Sequence, residues 1–434
     1  MKENKVISSD VLVAGSGIAG MQSALDIGDA GFNVVMVEKS PSIGGKMISL
    51  SKVFPTLDCA SCITTPKMAA SSHHPRVNIM TYTEVKNIKK TADGFEAHVV
   101  KKPRHVIESE CISCKKCEEA CPVYLDDEFE YGLGVKKAIS IPFTNAIPQF
   151  PVLDDSRCIR CGACARVCPK DCIDYLQKPE EIVVKSKSVI ISTGYEITPM
   201  NAKKEYNGTT LPNVISSLQA ERLLAPHGPY GKVLRPSDGK IPDSIAYVQC
   251  AGSRDESIGV PYCSRVCCMY AVKQAMLLSG SLPLSEITIY YMDIRAFGKG
   301  YEQFYAQARA MGINFVKAKV AKITEDAEHN PILRIDRQED GSKPQEVKHD
   351  MVVLSQGLVP SSREFFGLPV ELNEYGFIAS KDQTFSPSVT SLDGLFVCGV
   401  ARGPKDIPDT IMEAGSAAME AINYMKSAAK KDLR

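Results

Sequence analysis

Cys111, Cys114, Cys117 and Cys121-Pro122 are spaced C-x2-C-x2-C-x3-C-P, and Cys158, Cys161, Cys164 and Cys168-Pro169 repeat that spacing. Thiolates are soft ligands suited to iron–sulfur clusters, four complete a [4Fe-4S] cubane, and in paired runs the fourth cysteine of one run serves the cluster of the other. The expected sets are Cys111, Cys114, Cys117 with Cys168, and Cys158, Cys161, Cys164 with Cys121. Structural zinc sites use separated C-x2-4-C pairs, a poor match to four close cysteines ending in proline, twice. Adjacent clusters in one small module serve to conduct electrons.

Further along, Cys250, Cys263, Cys267 and Cys268 read Cys-x12-Cys-x3-Cys-Cys. They fit a third cluster or plain packing, because free cysteine is among the most buried residue types. Adjacent helical residues point about 100° apart, so Cys267 and Cys268 reach one cluster only through a distorted turn. Cys59-x2-Cys62 leaves three readings open: structural thiols, half of a cluster completed by another polypeptide, or a redox dithiol. Cys172 and Cys398 read as packed thiols, which accounts for all sixteen cysteines.

These residues need elements to position them. Asp10–Ala14 is an apolar run entering Gly15-Ser16-Gly17-Ile18-Ala19-Gly20 and a helical pattern, and Asn33–Val37 is a second run ending in Glu38-Lys39. Strand, glycine turn, helix, strand and acid form a dinucleotide site: the helix N-terminus meets the pyrophosphate and Glu38 the ribose. The second glycine turn, Gly44-Gly45-Lys46, resembles flavoproteins of the disulfide-reductase and thioredoxin-reductase class and favours FAD over NAD. In that class a strand like Ser188–Ser192 with Thr193-Gly194 returns the chain to the FAD domain. Gly399 and a helix opening at Ile407 then close the site, with the helix dipole favouring charge on the reduced ring. Val400 stands where the class has an acid, so the ribityl contact must come from elsewhere. Lys46, Lys299 and Lys405 follow glycine-rich turns and are flavin-tuning candidates, although most lysines are simply solvated. His73-His74 reads as a surface loop.

From about residue 205 a second α/β unit follows: strand Ser244–Gln249, helix Val266–Leu278, strand Glu286–Met292 and helix Tyr301–Met311. Its first strand enters Cys250-Ala251-Gly252-Ser253-Arg254 instead of a glycine phosphate cradle. The four later cysteines sit on the side where such sheets present ligands. A cluster there would replace hydride delivery to the flavin by one-electron traffic.

The fold class is α/β: two Rossmann-like domains of the thioredoxin-reductase type with an inserted α+β two-cluster ferredoxin. The expected division is 1–105 FAD domain, 106–178 ferredoxin, 179–204 FAD domain, 205–355 the nucleotide-domain-like unit with a [4Fe-4S] cluster, and 356–434 FAD domain. The 434 residues are 44% apolar and 24% charged, with 51 basic and 51 acidic side chains. That balance allows a large core and argues against a nucleic-acid binder. The start, MKENKVISSD, is polar, and no apolar run approaches the ~20 residues of a membrane helix. The chain therefore reads as cytoplasmic, with no direct membrane insertion.

The chain resembles the A subunit of heterodisulfide reductase and its relatives, which include flavoprotein subunits of quinone-interacting oxidoreductases. The resemblance rests on Gly44-Gly45-Lys46-Met47, Pro55-Thr56-Leu57-Asp58-Cys59, Thr65-Pro66-Lys67-Met68, the ferredoxin pair, Tyr262-Cys263-Ser264 with Cys267-Cys268, Met292 to Gly300, and Gly403 to Ile407. It implies FAD, two ferredoxin-type clusters, and a third cluster on Cys250, Cys263, Cys267 and Cys268. It further implies a flavin that splits electron pairs, one electron going uphill to ferredoxin and one downhill. Implied partners are the B and C subunits of heterodisulfide reductase, ferredoxin, and a hydrogenase, formate dehydrogenase or other donor, in a hetero-oligomer that includes a dimeric form. Larger members carry further N- and C-terminal cluster domains for which this chain leaves no room, so full bifurcation is not expected of it alone. The competing expectations are a stand-alone FAD-dependent disulfide reductase using Cys59 and Cys62, and a flavoprotein subunit feeding a quinone module.

Overall fold

The computed structural model describes residues 5–337 and 343–432; residues 1–4 of the polar start lie outside it. Strand β1 (Lys5–Ala14) leads through the glycine turn into helix α1 (Ile18–Asp29) and strand β2 (Val34–Val37). Helix α2 (Ala60–His73), strand β3 (Val77–Met80) and the hairpin of β4 (Thr83–Thr91) and β5 (Gly94–Lys101) follow. After an excursion, strand β6 (Glu180–Ile191) completes a sheet ordered β3-β2-β1-β6-β5-β4, with the strand Leu395–Val397 also paired to β6. Every side chain of β2 is buried, as befits a central parallel strand covered on both faces.

Two strands are longer than hydropathy suggests. β1 begins at Lys5 and β6 at Glu180, because their polar halves pair with each other from Lys5↔Ile182 onward and β6 also pairs with β5. Ladder hydrogen bonds extend a strand past the point where its apolar pattern stops. Of the two histidines expected in a surface loop, His73 is exposed but helical, and His74 lies in the connection that follows. His73 ends α2, and the His74 ring packs on Gly28 with Nε2 3.3 Å from Asp29 Oδ1.

The excursion leaves at Lys101 and returns at Glu180, and these two residues are paired across the ladder. Between them lie two short helices, α3 (Lys116–Ala120) and α4 (Ala163–Arg166), and two small antiparallel pairs. Arg104 anchors this insert to the first sheet: its buried guanidinium donates to Pro41 O (2.6 Å), Thr81 Oγ1 (2.7 Å) and Glu108 Oε1 (2.8 Å).

The second unit contributes β7 (Val214–Ser216), α5 (Ser217–Leu224), β8 (Ser244–Val248), α6 (Cys267–Ser281), β9 (Glu286–Tyr291), α7 (Tyr301–Ala310), β10 (Asn314–Lys317) and β11 (Met351–Leu354). All four strand pairs in the sheet β7-β11-β8-β9-β10 are parallel. Helix α8 (Ile407–Asp432) returns to the first sheet and packs on α1. It continues well past Ala418 because Ala421, Ile422 and Met425 extend its buried stripe at helical spacing. Among the described residues no helix is long and apolar enough to cross a membrane.

Gly20 fixes how α1 sits on β1, since a Cβ there would overlap Gly15 O and stand 2.7 Å from Ser192 Oγ. Overpacking of this kind costs about 1–3 kcal/mol. Gly20→Ala is expected to lower the unfolding free energy by at least that much in a denaturant melt, and an unchanged midpoint would contradict this packing.

Candidate functional site

A cavity of about 860 Å³ runs from the glycine turn of the first sheet to helices α5 and α6 of the second unit. Gly15, Gly17, Ile18, Ala19, Glu38, Lys39, Gly45, Lys46, Thr193, Gly194, Lys405 and Ile407 all line it. Gly17 and Gly45 touch: a Cβ on Gly45 would stand 2.7 Å from Gly17 Cα. The two glycine turns thus make one floor that any side chain would fill, a fit for a pyrophosphate against the α1 N-terminus. Glu38 is buried beside it, accepting from Ser16 N (2.9 Å), Ser16 Oγ (2.6 Å) and Ser40 N (2.8 Å). Gly20 and Gly399 lie behind the wall; Gly399 packs on Ala19.

The three lysines differ. Lys46 lines the cavity and pairs with Glu196 at 2.9 Å. Lys405 is 6% exposed, and its ammonium is taken by Glu413 Oε2 (2.8 Å) and Gly399 O (2.6 Å). Burial lowers its pKa against the pull of Glu413. Lys299 is exposed and lies outside the cavity walls.

Sequence reasoning overlooked the wall on the second unit's side. Lys273 of α6 and Glu221 of α5 line the cavity as an ion pair, each side chain 2% exposed. Glu221 also accepts from Ser51 N (2.9 Å), Ser51 Oγ (2.7 Å) and Gln274 Nε2 (2.5 Å), while Lys273 donates to Lys52 O (2.8 Å). Next to it, Arg222 donates to Ser49 O (3.1 Å) and pairs with Glu130 of the insert at 2.8 Å. One helix thus ties all three bodies together. A single lysine within the apolar stretch Cys267–Leu278 was the available signal. Burial alone would raise the Glu221 pKa; the Lys273 charge and the hydrogen bonds outweigh it and hold the carboxyl below its ordinary value.

Two smaller cavities lie in the insert. One is lined by Cys111, Cys114, Cys117, Cys168 and Cys172, the other by Cys121, Cys158, Cys161 and Cys164. The cavities gather thiols from both runs, as a two-cluster module requires. Ser113, Lys115 and Arg160 hold positive φ, and Arg160 N–H donates to Cys158 Sγ at 3.4 Å. Such turns aim backbone N–H groups at an anionic sulfur.

The same local form recurs in the second unit. In Cys263-Ser264-Arg265, Arg265 has φ +63° and its N–H donates to Cys263 Sγ at 3.3 Å, the relation of Arg160 to Cys158. Cys250, two residues past β8 in the following turn, holds φ +56°. Cys267 and Cys268 open α6, and each lies close enough to Cys250 and Cys263 for mutual charge effects. Burial raises the thiols of Cys250 and Cys267, and that of Cys268 to about 12. Buried neutral thiols are inert until a metal displaces their protons. Val266 and Tyr270 stand between this set and the large cavity, which they line. Cys59 caps α2, accepting from Cys62 N at 3.3 Å; Cys62 is exposed, and neither thiol lines the large cavity.

Comparison with known proteins agrees with this geometry. The FAD binding domain family matches residues 10–51 and the 4Fe-4S dicluster domain family residues 110–173. The fold is that of thioredoxin reductase from T. acidophilum (16% identity, TM-score 0.56, 97% of this chain and 99% of that one) and from Lactococcus lactis (15%, 0.54, 96% and 99%). The chain is 44% identical over 418 residues to the iron-sulfur A subunit of the CoB–CoM heterodisulfide reductase of Methanocaldococcus jannaschii, covering 95% of this chain and 64% of that protein. It is 43% identical over 438 residues to the A subunit of the H(2):CoB-CoM heterodisulfide,ferredoxin reductase of Methanothermobacter marburgensis, covering 98% and 66%. It thus spans about two-thirds of the length of the curated relatives it matches.

Removing one partner of a buried ion pair costs about 3–5 kcal/mol. Lys273→Met is expected to lose that much in a urea melt at neutral pH, with part recovered in Glu221→Gln/Lys273→Met; a loss below about 1 kcal/mol would contradict the pairing. Because its folded pKa is depressed, the stability Glu221 contributes is present above its ordinary value of 4.5 and lost as the pH falls below it. With matches to an FAD binding domain and a 4Fe-4S dicluster domain, the chain is similar over nearly its whole length to the A subunits of heterodisulfide reductases.

Proposed function

We propose that this chain is the FAD- and iron–sulfur-containing electron-transfer subunit of a heterodisulfide-reductase-like complex, with a third [4Fe-4S] cluster on Cys250, Cys263, Cys267 and Cys268. One observation carries the reading: Cys250 stands at positive φ where β8 would otherwise enter a glycine phosphate cradle, and Cys263-Ser264-Arg265 repeats the local geometry of the ferredoxin run. Bound FAD exchanges electrons in pairs or singly, and cubanes carry one at a time. The protein's part is positional. The glycine floor and Glu38 would hold the nucleotide, the N-terminus of α8 would favour negative charge on a reduced ring, and the Glu221–Lys273 wall closes the second unit against the cavity. Arg160 and Arg265 turn backbone N–H groups toward sulfur.

Relatives are named for reduction of the CoB-CoM heterodisulfide with hydrogen, formate or ferredoxin. We infer the same substrate class for the complex, the B and C subunits as partners, and a hydrogenase, formate dehydrogenase or ferredoxin as electron source. Bifurcation, a cytoplasmic location and a hetero-oligomer with a dimeric form belong to the same proposal. So does charge tuning at the flavin by Lys46, Lys405 and Lys299, the last only if its loop moves inward. The placement of Cys59 at the start of a helix beside exposed Cys62 also suits a dithiol or a cluster shared with a partner. If the pair acts alone as a disulfide reductase, Cys59→Ser/Cys62→Ser abolishes disulfide turnover by the isolated chain. Under the leading reading the isolated parent chain reduces dyes but no physiological disulfide.

Without a dinucleotide cradle, NADH and NADPH are expected to leave the flavin absorbance of the anaerobic full chain unchanged, while dithionite bleaches it. Stoichiometric bleaching by either nucleotide would overturn the replacement of hydride delivery.

A further inference from the structure

The two cavities of the insert are unequal. One is lined by four cysteines, the other by five, the additional one being Cys172. Its sulfur lies 3.4 Å from Cys168 Sγ, its own N–H donates to Cys168 Sγ at 3.4 Å, and Cys111 lines the same cavity, near enough for its charge to act on the Cys172 thiol. Cys172 is 3% exposed, and its backbone is fixed on both sides: Cys172 O accepts from Ile107 N at 2.8 Å, and Ile173 bridges Val106. These backbone contacts hold the Cys172 Cα in place beside Cys168, and burial keeps its side chain away from solvent. The corresponding position after Cys121 is Leu125, so the second cavity has no such thiol.

We propose that Cys172 is a reserve ligand for the cluster held by Cys111, Cys114, Cys117 and Cys168, able to take the corner that Cys168 occupies. This rests on the insert holding two cubanes. Replacement is a ligand exchange without electron transfer. The Cys172 thiol loses its proton as its sulfur bonds to the iron, and the released Cys168 sulfur, 3.4 Å away, takes up a proton, so charge and iron valence are unchanged. Where Cys168 is absent, the proton goes to solvent. A simple packing role, the alternative for a buried thiol, would require neither proximity to two ligand sulfurs nor a place on the cavity wall.

The test compares Cys168→Ala, Cys121→Ala and Cys168→Ala/Cys172→Ala in the anaerobically purified full chain. Iron and acid-labile sulfide per FAD, and EPR of the dithionite-reduced protein, are measured for each. Cys168→Ala is expected to keep the parent iron content, while Cys121→Ala and the double variant each lose about four irons per FAD, one cubane. FAD bound per chain serves as the folding control; should Cys168→Ala fail it, Cys168→Val, which cannot ligate iron, replaces it with the same expected iron content. Loss of four irons from Cys168→Ala itself, with FAD retained, overturns the proposal. So does a double variant that keeps all its iron, because water would then fill the corner. A parent chain with fewer than eight irons per FAD instead refutes the two-cubane premise and is read separately.

Discussion

The proposed chemistry of this chain depends on the backbone conformation just past strand β8. A dinucleotide fold needs glycine there, to turn sharply and let a pyrophosphate approach the backbone; here Cys250 holds φ +56°, and Ala251 and Gly252 follow. A side chain on a left-handed residue costs of order 1 kcal/mol, and its sulfur occupies space that a phosphate cradle would leave open. Under the proposed assignment, that conformation directs the thiol toward Cys263, Cys267 and Cys268. The sheet keeps its nucleotide-fold topology while its ligand end presents sulfur.

The second constraint is the tie among the three bodies. Glu221 and Lys273 hold the loop Ser51–Lys52 of the first domain against α5 and α6, and Arg222 with Glu130 brings in the insert. A desolvated ion pair is poor at adding net stability but costly to break. Its value here is in fixing geometry. Electron transfer between fixed centres tolerates no free rotation of the second unit, and these contacts oppose it. Arg104 does the same at the root of the insert, so the chain's entry and exit at Lys101 and Glu180 are not its only restraint.

Legibility in the sequence followed the range of the forces involved. Glycine turns, apolar strands and cysteine spacing are local, and they located β1, α1, β2, the two ferredoxin runs and the altered strand end at Cys250. The polar halves of β1 and β6 escaped notice because only their partners across the sheet make them strands. Glu221 and Lys273 escaped for the same reason: 52 positions separate them, and neither stands out until α5 and α6 pack. Spacing also makes Cys172 look like any packed thiol; only its distance from Cys168 distinguishes it. Lys405 illustrates the converse, since its turn suggested a free charge near the ring and the structure pairs it with Glu413.

Under the proposed assignment the four cysteines of the second unit hold a cubane beside the large cavity. Iron, sulfide and FAD analysis of the anaerobic full chain and of its Cys250→Ala/Cys263→Ala variant decides whether they do. About twelve irons per FAD are expected in the parent and about eight in the variant, four per cubane, with one EPR signal missing from the reduced spectrum. Equal iron in the two proteins, or about eight in the parent, would contradict it.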